Sequence, residues 1–375
     1  MDTSATPAAE PADWPRLTDA LPGIAGRLKA TPEDFVVEEL PAYEPCGTGE
    51  HLFLWIEKRD VAAEQLTRHV ARALEISPRD IGVAGLKDRF AVTRQYLSVP
   101  TKCADKVPAI DTDRIRVLKS AQHGNKLKTG HLRGNRFSLL IRETVPGDAE
   151  RAQAIAAEIS RTGFPNYYGE QRFGRDGETL QLGLDLLNGR QTARDIPYNR
   201  RRFLLKFSLS AAQSQLFNEV LAERIRDGLL QTVLNGDVME VSESGGKFVV
   251  EDAAVEQPRC DAGEIVPTGP MFGPKMRAPN GVPAEREARV LQRHELTPEQ
   301  FGNFSQLLNG TRRALAIRPA DLVIAEEPEG LRFNFTLPSG VYATTLLREF
   351  LRQSPAESTT TDEASDEDEP ADDPA

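Results

Sequence analysis

Residues 81–100, IGVAGLKDRFAVTRQYLSVP, pass from a glycine-flanked loop into a strand. Gly82 and Gly85 precede the triplet Lys87, Asp88 and Arg89, and residues 95–99 then alternate as a strand does. The loop carries neither GxGxxG nor GxxxxGK(S/T), so it is not a phosphate-cradling turn. Asp88 is an acid between two cations. Cationic neighbours favour the ionised carboxylate, the form that covalent attack on a sugar or an electrophilic ring carbon requires. A solvated turn with surface charges would have the same local sequence, so these residues alone leave a nucleophile and a plain loop acid both open.

Working outward, residues 35–39 and 51–57 read as strands. Asp60 reads as an N-cap for a helix whose Leu66, Val70 and Leu74 share one face, with Pro78 marking its end. Beyond the loop, 115–118 and 136–142 are further strands. Asp148 can cap a helix carrying Ile155 and Ile159, which Gly163 and Pro165 stop. Ser210 with Gln213 forms a capping-box pattern before Leu216, Phe217, Val220, Leu221 and Ile225, and Gly228 is placed as the stop. Residues 331–337 alternate cleanly, and 343–351 read as a short helix. Strands and helices are intermixed, with several antiparallel-looking pairs, so the expected class is α+β. No repeat of 20–50 residues is visible.

The chain has 375 residues, 39% hydrophobic and 27% charged, which suggests two domains and a sizeable core. No run approaches the ~20 apolar residues of a membrane span. The opening MDTSATPAAEPADWP has no basic or apolar leader region, so a cytoplasmic protein is expected. Cys46, Cys103 and Cys260 make neither a disulfide framework nor a CxxC knuckle, and no metal is expected. The net charge of −11 is mostly a tail property. Residues 353–375 hold nine acids and no Lys or Arg, and without them 48 acids face 46 bases. Global acidity therefore does not exclude a nucleic-acid partner.

Two stretches favour such a partner. Residues 114–136, RIRVLKSAQHGNKLKTGHLRGNR, hold seven Lys or Arg, including Lys126, Lys128 and Arg133, and no acid. Clustered cations are the footprint of a polyanion site, though a solvated basic hairpin has the same composition. Residues 164–177, FPNYYGEQRFGRDG, interleave aromatics, arginines (Arg172 among them) and glycines. Aromatics stack on bases and Arg reaches phosphates; a tight aromatic interdomain turn is the plainer alternative. Arg200, Arg201 and Arg202 add charge. GxSxG and HExxH are both absent. A non-catalytic RNA binder fits these features too. A carboxylate glycosidase would need a second acid, for which Glu38 and Glu39 are the candidates.

At these residues the chain resembles the TruD-family tRNA pseudouridine synthases. AGLKDRFAVTRQ is similar to the family's catalytic motif, whose Asp falls on Asp88. KATPEDFVVEE is similar to its N-terminal motif and places Lys29 and Phe35. GNRF resembles the segment that supplies a substrate-contacting Asn and Phe, here Asn135 and Phe137. FPNYYGEQRFG resembles the opening of the family's inserted domain, and LSAAQSQLFNEVL a helix of that insertion. SGVYATTLLRE resembles the C-terminal motif, with Tyr342 where the family often has Phe. Order and spacing agree over about residues 20–352.

The resemblance implies a mixed, mainly antiparallel-sheet catalytic domain, residues 23–160 and 314–352, interrupted by an α/β insertion at 161–313. A loose arm (1–22) and a disordered acidic tail (353–375) would flank it. It implies a monomer that turns a uridine of tRNA into pseudouridine, at position 13 of certain tRNAs, tRNA-Glu among them. Asp88 would be the nucleophile, and no cofactor would be needed. Phe35, Phe137 and Tyr342 would meet the base or its vacated space. Asn135 would hold the pyrimidine edge or a ribose hydroxyl. Lys29 would contact substrate, and Lys126, Lys128, Arg133 and Arg172 the RNA. Attack at ribose C1′ and at uracil C6 both remain open.

Overall fold

The computed structural model describes residues 14–169, 172–174 and 177–352. The acidic tail expected over 353–375 lies outside the described residues, as does the expected arm up to residue 13. The first part of the chain gives β1 (Arg27–Leu28), β2 (Phe35–Pro41), β3 (His51–Arg59), helix α1 (Ala63–Leu74), β4 (Gly82–Val83), β5 (Val92–Pro100), β6 (Ile115–His123), β7 (Leu132–Arg142) and α2 (Asp148–Thr162). After β8 (Phe164–Pro165) come α3 (Glu178–Leu187), α4 (Tyr198–Arg226), β9 (Val238–Val241), β10 (Lys247–Val249), α5 (Ala253–Asp261), β11 (Ile265–Met271), α6 (Gly281–Arg293), β12 (Thr311–Ala314) and β13 (Ala316–Ile317). The chain ends with β14 (Ala320–Glu327), β15 (Gly330–Pro338) and α7 (Ala343–Arg348).

Among the described residues the large sheet has nine strands. Its order is β14-β15-β7-β2-β5-β3-β6, with β1 on β7 and β4 on β5. Only the β2–β5 pairing within it is parallel, so the expected α+β class with a mainly antiparallel sheet is what the chain adopts. Register decides which residues share a face. Val37, Phe137 and Phe335 are aligned across β2, β7 and β15, as are Glu39, Asn135 and Leu337. Val37 also aligns with Thr93 on β5, and Thr93 with Lys58 on β3. This face therefore runs from an apolar patch under α2 and α7 to another under α1. Between the two patches lie the polar, buried Glu39, Thr93, Gln95 and Lys58. A strip of buried polar groups between two hydrocarbon patches is costly unless each group is partnered or used, and it locates the site.

The opposite face carries Phe53, Trp55 and Tyr96, packed with Ala84, Leu127 and Tyr43. Between α2 and β14 the chain builds a second core from α3, α4 and α6, with the antiparallel sheet β10-β9-β11-β12. β8 and β13 pair with each other where the chain leaves the large sheet and returns to it. Among the described residues no helix is long and apolar enough to cross a membrane.

Three local expectations change. Asp60 does not cap α1: Ala62 takes the N-cap position, and Asp60 adopts a left-handed φ of 49° with its carboxylate toward Arg89 and Arg114. Ser210 opens no helix, because α4 is continuous from Tyr198 and Ser210 lies inside it. Residues 14–22, expected as part of a loose arm, are packed. Trp14 is buried and stacks on Tyr167, and the Thr18 amide and hydroxyl both donate to the buried Glu349 carboxylate.

Candidate active site

The loop joining β4 to β5 crosses the polar strip, and it is tied at several points along its length. Lys87 is buried and pairs with the fully buried Glu39 carboxylate at 2.8 Å. The backbone carbonyl of Asp88 accepts a 2.6 Å hydrogen bond from Lys58 Nζ. Arg89 faces Asp60 at 3.7 Å, and the Asp60 amide donates to the Ala91 carbonyl. These ties leave the Asp88 carboxylate half exposed, with Lys29 Nζ 3.4 Å from its Oδ2. Leu86, two residues earlier, is 81% exposed. The glycine requirement lies just before the loop, at Gly82 in β4, where a Cβ would collide with the Leu127 carbonyl and the Ser98 hydroxyl.

Lys29 is placed by the turn that follows β1. It takes a left-handed φ of 59°, and its ammonium lies 4.1 Å from the centroid of the Phe35 ring. A 3-10 turn, Pro32–Asp34, holds this corner. Arg142 donates to both Asp34 oxygens at 2.8–3.0 Å. Burial would raise the Asp34 carboxyl, but the Arg142 bonds and the Thr31 amide outweigh it and hold the group below the usual aspartate range.

The sequence-predicted residues are therefore only partly brought together. Lys29 meets both Asp88 and Phe35. Phe35 packs edge-on to Phe137 at 6.4 Å, and Phe137 stacks on Phe335 at 5.2 Å. Both Phe35 and Phe137 are buried in the core beneath the site. Asn135 aligns with Glu39 across the β2–β7 ladder, and its Oδ1 is buried with no partner among the described residues. Gly134 beside it can only be glycine, since a Cβ would collide with the Leu337 carbonyl. Tyr342 sits at the start of α7, edge-on to Tyr168 at 6.4 Å, and Arg313 stacks under Tyr168 at 4.2 Å. Arg172 lies 5.6 Å from that same ring and donates to the Ser210 and Ser214 hydroxyls. Tyr342 and Arg172 thus both lean on Tyr168, which packs against the second core.

Lys126 and Lys128 lie elsewhere. They line an open pocket of about 510 Å³ with Tyr43, His123, Asn125 and His131. Tyr43 stacks on His123 at 5.0 Å, and His123 packs on Phe53, on the sheet face opposite Lys58 and Glu39. The basic loop still touches the Asp88 loop, because the Gly130 amide donates to the Ala84 carbonyl. Arg133 is exposed and donates to the Ala42 carbonyl. Arg200, Arg201 and Arg202 fall in the first turns of α4, beside the exposed Tyr198 and Phe203.

Neither candidate for a glycosidase's second acid is free. Glu38 is held by Arg94 and Arg136, and Glu39 by Lys87 and the Tyr96 amide. Lys58 escapes the sequence reading altogether. Its signal is its position: it follows Leu52, Leu54 and Ile56 on the buried parity of β3.

The family model described as tRNA pseudouridine synthase D (TruD) matches residues 15–194 and 200–350. The tRNA pseudouridine synthase D of Anaeromyxobacter dehalogenans strain 2CP-1 is 44% identical over 342 residues, 91% of this chain and 97% of the relative. The chain belongs to the tRNA pseudouridine synthase D family. A member of the family from Thermus thermophilus is 40% identical over 91% of this chain and 93% of its own. A solved structure from Methanosarcina mazei, titled as a tRNA pseudouridine synthase D, superposes with a TM-score of 0.74 at 25% identity. It covers 92% of this chain and 97% of that one.

Proposed function

We propose that this chain isomerises a uridine of tRNA to pseudouridine, with Asp88 as nucleophile and the uridine at position 13 of its tRNAs, tRNA-Glu included. The observation that carries the reading is a half-exposed carboxylate on a loop whose backbone is fixed from below, facing Lys29. In the reaction the N-glycosidic bond between ribose C1′ and uracil N1 breaks. The base turns, a C1′–C5 bond forms, the C5 proton leaves, and N1 takes up a proton in its place. The overall change is an isomerisation, so electrons balance with no redox partner. The Asp88 carboxylate supplies the covalent adduct that holds one fragment during the turn. Lys29, an ion-pair partner at 3.4 Å, keeps the carboxylate aimed before attack.

The target uridine must leave its stack, which costs a few kcal/mol. Tyr342 and the exposed Leu86 are the side chains best exposed to meet the base or enter its vacated space. Asn135, with an unpartnered Oδ1, is suited to the pyrimidine edge. The segment from residue 161 to 313 is read as the insertion, forming the far wall of the cleft around Tyr168, Arg172 and Arg313. Lys126, Lys128 and Arg133 extend a cationic surface for tRNA phosphates beyond the reacting centre. The test is mass spectrometry with a pseudouridine-specific tag on unmodified tRNA incubated with the protein. A tagged nucleotide at one tRNA position, at position 13, is the expected result. Tight binding with no tag would establish the non-catalytic RNA binder instead.

A further inference from the structure

Lys58 is fully buried near the end of β3, and among the described residues its ammonium makes no ion pair within 4 Å. Both of its hydrogen-bond partners among the described residues are backbone carbonyls, Val61 at 2.7 Å and Asp88 at 2.6 Å. An ammonium taken out of water is costly unless its position returns something. Here it joins two segments 30 residues apart in sequence, the turn from β3 into α1 and the loop that presents Asp88. The bond goes to the peptide of the reacting residue itself, so it sets where that residue's Cα stands over the sheet. The carboxylate remains outside, facing Lys29.

We infer that Lys58 is a positioning residue, whose charged ammonium anchors the Asp88 peptide so that the carboxylate stands at attacking distance. The inference rests on the reading of Asp88 as nucleophile. Charge matters to this tie, because a hydrogen bond from an ammonium to a carbonyl is roughly twice as strong as one from a neutral amine. The charged groups that face Lys58 are Asp88 and Lys87 from the loop and Asp60 from the turn. Across the ladder it meets Thr93 on β5 and Ile115 on β6, which carry no charge. Burial drives the ammonium down to about 8, against the pull of Asp88 and with the push of Lys87.

The signs for rate and stability then oppose each other. Between about 8 and the ordinary lysine value of 10.5, the unfolded chain holds a proton that the folded chain has released. In that window Lys58's contribution to stability therefore rises with pH. The charged tie to Asp88 disappears over the same window, so the rate falls. A lysine serving only the fold would give rate and stability the same sign.

The experiment is single-turnover pseudouridine formation on one tRNA by the full-length protein, Lys58→Met and Lys58→Arg, from about pH 6 to about pH 9.5. The tRNA Kd and the urea midpoint are measured at each pH. Expected for the unmodified protein is a rate that falls above about pH 8 without a matching fall in the midpoint. Lys58→Met should be slower by about a hundredfold, the cost of roughly 1 Å of misplacement, with Kd nearly unchanged and the alkaline limb gone. Lys58→Arg keeps its charge throughout, so it should also lose the limb while recovering part of the rate. Should Lys58→Met not fold, Lys58→Arg and the opposed profiles of the unmodified protein still decide. A full rate in Lys58→Met, an unchanged limb in either variant, or a rate that falls only in step with the midpoint would overturn the inference. An unmodified protein that forms no pseudouridine would overturn the synthase reading itself, a different pattern.

Discussion

At the residue scale, the question is whether Asp88 acts or merely links. Its ion pair with Lys29 is 3.4 Å long and lies between partners 48% and 29% exposed. Pairs of that exposure are worth about 1 kcal/mol or less, too little for the fold to depend on them. The loop is held instead through its backbone and through Lys87. Asp88→Asn should therefore fold with a near-unchanged melting temperature and bind tRNA at near-unchanged Kd, since phosphate contacts elsewhere dominate affinity. Its single-turnover rate should drop by about 10⁴-fold or more, as when a nucleophile is removed. Asp88→Glu should also be impaired, by about a hundredfold, because one methylene moves the attacking oxygen by about 1 Å. Filter binding and tagged pseudouridine formation on the same tRNA check both. Near-normal turnover in Asp88→Asn would refute the nucleophile. Binding lost together with turnover would make Asp88 an organiser of the loop.

At the element scale, the 3-10 turn Pro32–Asp34 aims both Lys29 and Phe35, and the Asp34–Arg142 fork holds it against β7. Asp34 is held below its ordinary range, so its stabilising contribution is full above that range and is lost as pH falls through the lowered value. Asp34→Asn should cost about 2 kcal/mol at neutral pH, in line with hydrogen bonds to charged groups. The gap to the unmodified protein should narrow in acid. Urea midpoints across pH measure this, and a gap that widened in acid would contradict it. Elements with a regular pattern were legible in the sequence. The strands near 35 and 331 alternate because one face is buried, those near 51 and 95 are apolar runs covered on both faces, and α1 shows its stripe of Leu66, Val70 and Leu74. What failed was local punctuation overruled by distant contacts. Asp60 looks like a cap, but its carboxylate goes to Arg89 and Arg114. Ser210 and Gln213 have the spacing of a capping box, yet the helix has already run from Tyr198, and Gln213 donates to the Phe272 carbonyl. Asp88 and Lys29 were legible through motif resemblance. Lys58 was not, because its burial depends on a loop far along the chain.

At the scale of the whole molecule, three separated segments converge on Trp14. Its ring stacks on Tyr167, just past β8, at 5.7 Å, and its carbonyl accepts from Arg348 at the end of α7. Four residues on, Thr18 bonds to Glu349, and Arg352 donates to the Thr18 and Leu21 carbonyls. Ile24 then bridges to Leu351. The first described residues thus strap the C-terminal helix to the segment that enters the second core. Tyr342 is the N-cap of α7, so the strap supports the wall that carries Tyr342, Tyr168 and Arg313. Trp14 is 7% exposed, and replacing a buried Trp by Ala typically costs about 3–5 kcal/mol. Trp14→Ala should lower the unfolding free energy by that much, read as a lower urea midpoint at an unchanged slope if the unfolding stays cooperative. A loose arm would predict less than about 0.5 kcal/mol, the usual effect of a surface change. Well below the new midpoint, the surviving folded fraction should keep its single-turnover rate, since the loop carrying Asp88 is tied to β2, β3 and the turn into α1 rather than to α7. Its tRNA affinity should weaken, because Tyr342, Tyr168 and Arg313 lean on the strapped wall. A single-turnover rate at saturating protein that stays near normal while Kd rises would separate the two walls. A rate that collapses at unchanged Kd would show instead that the strap reaches the catalytic loop.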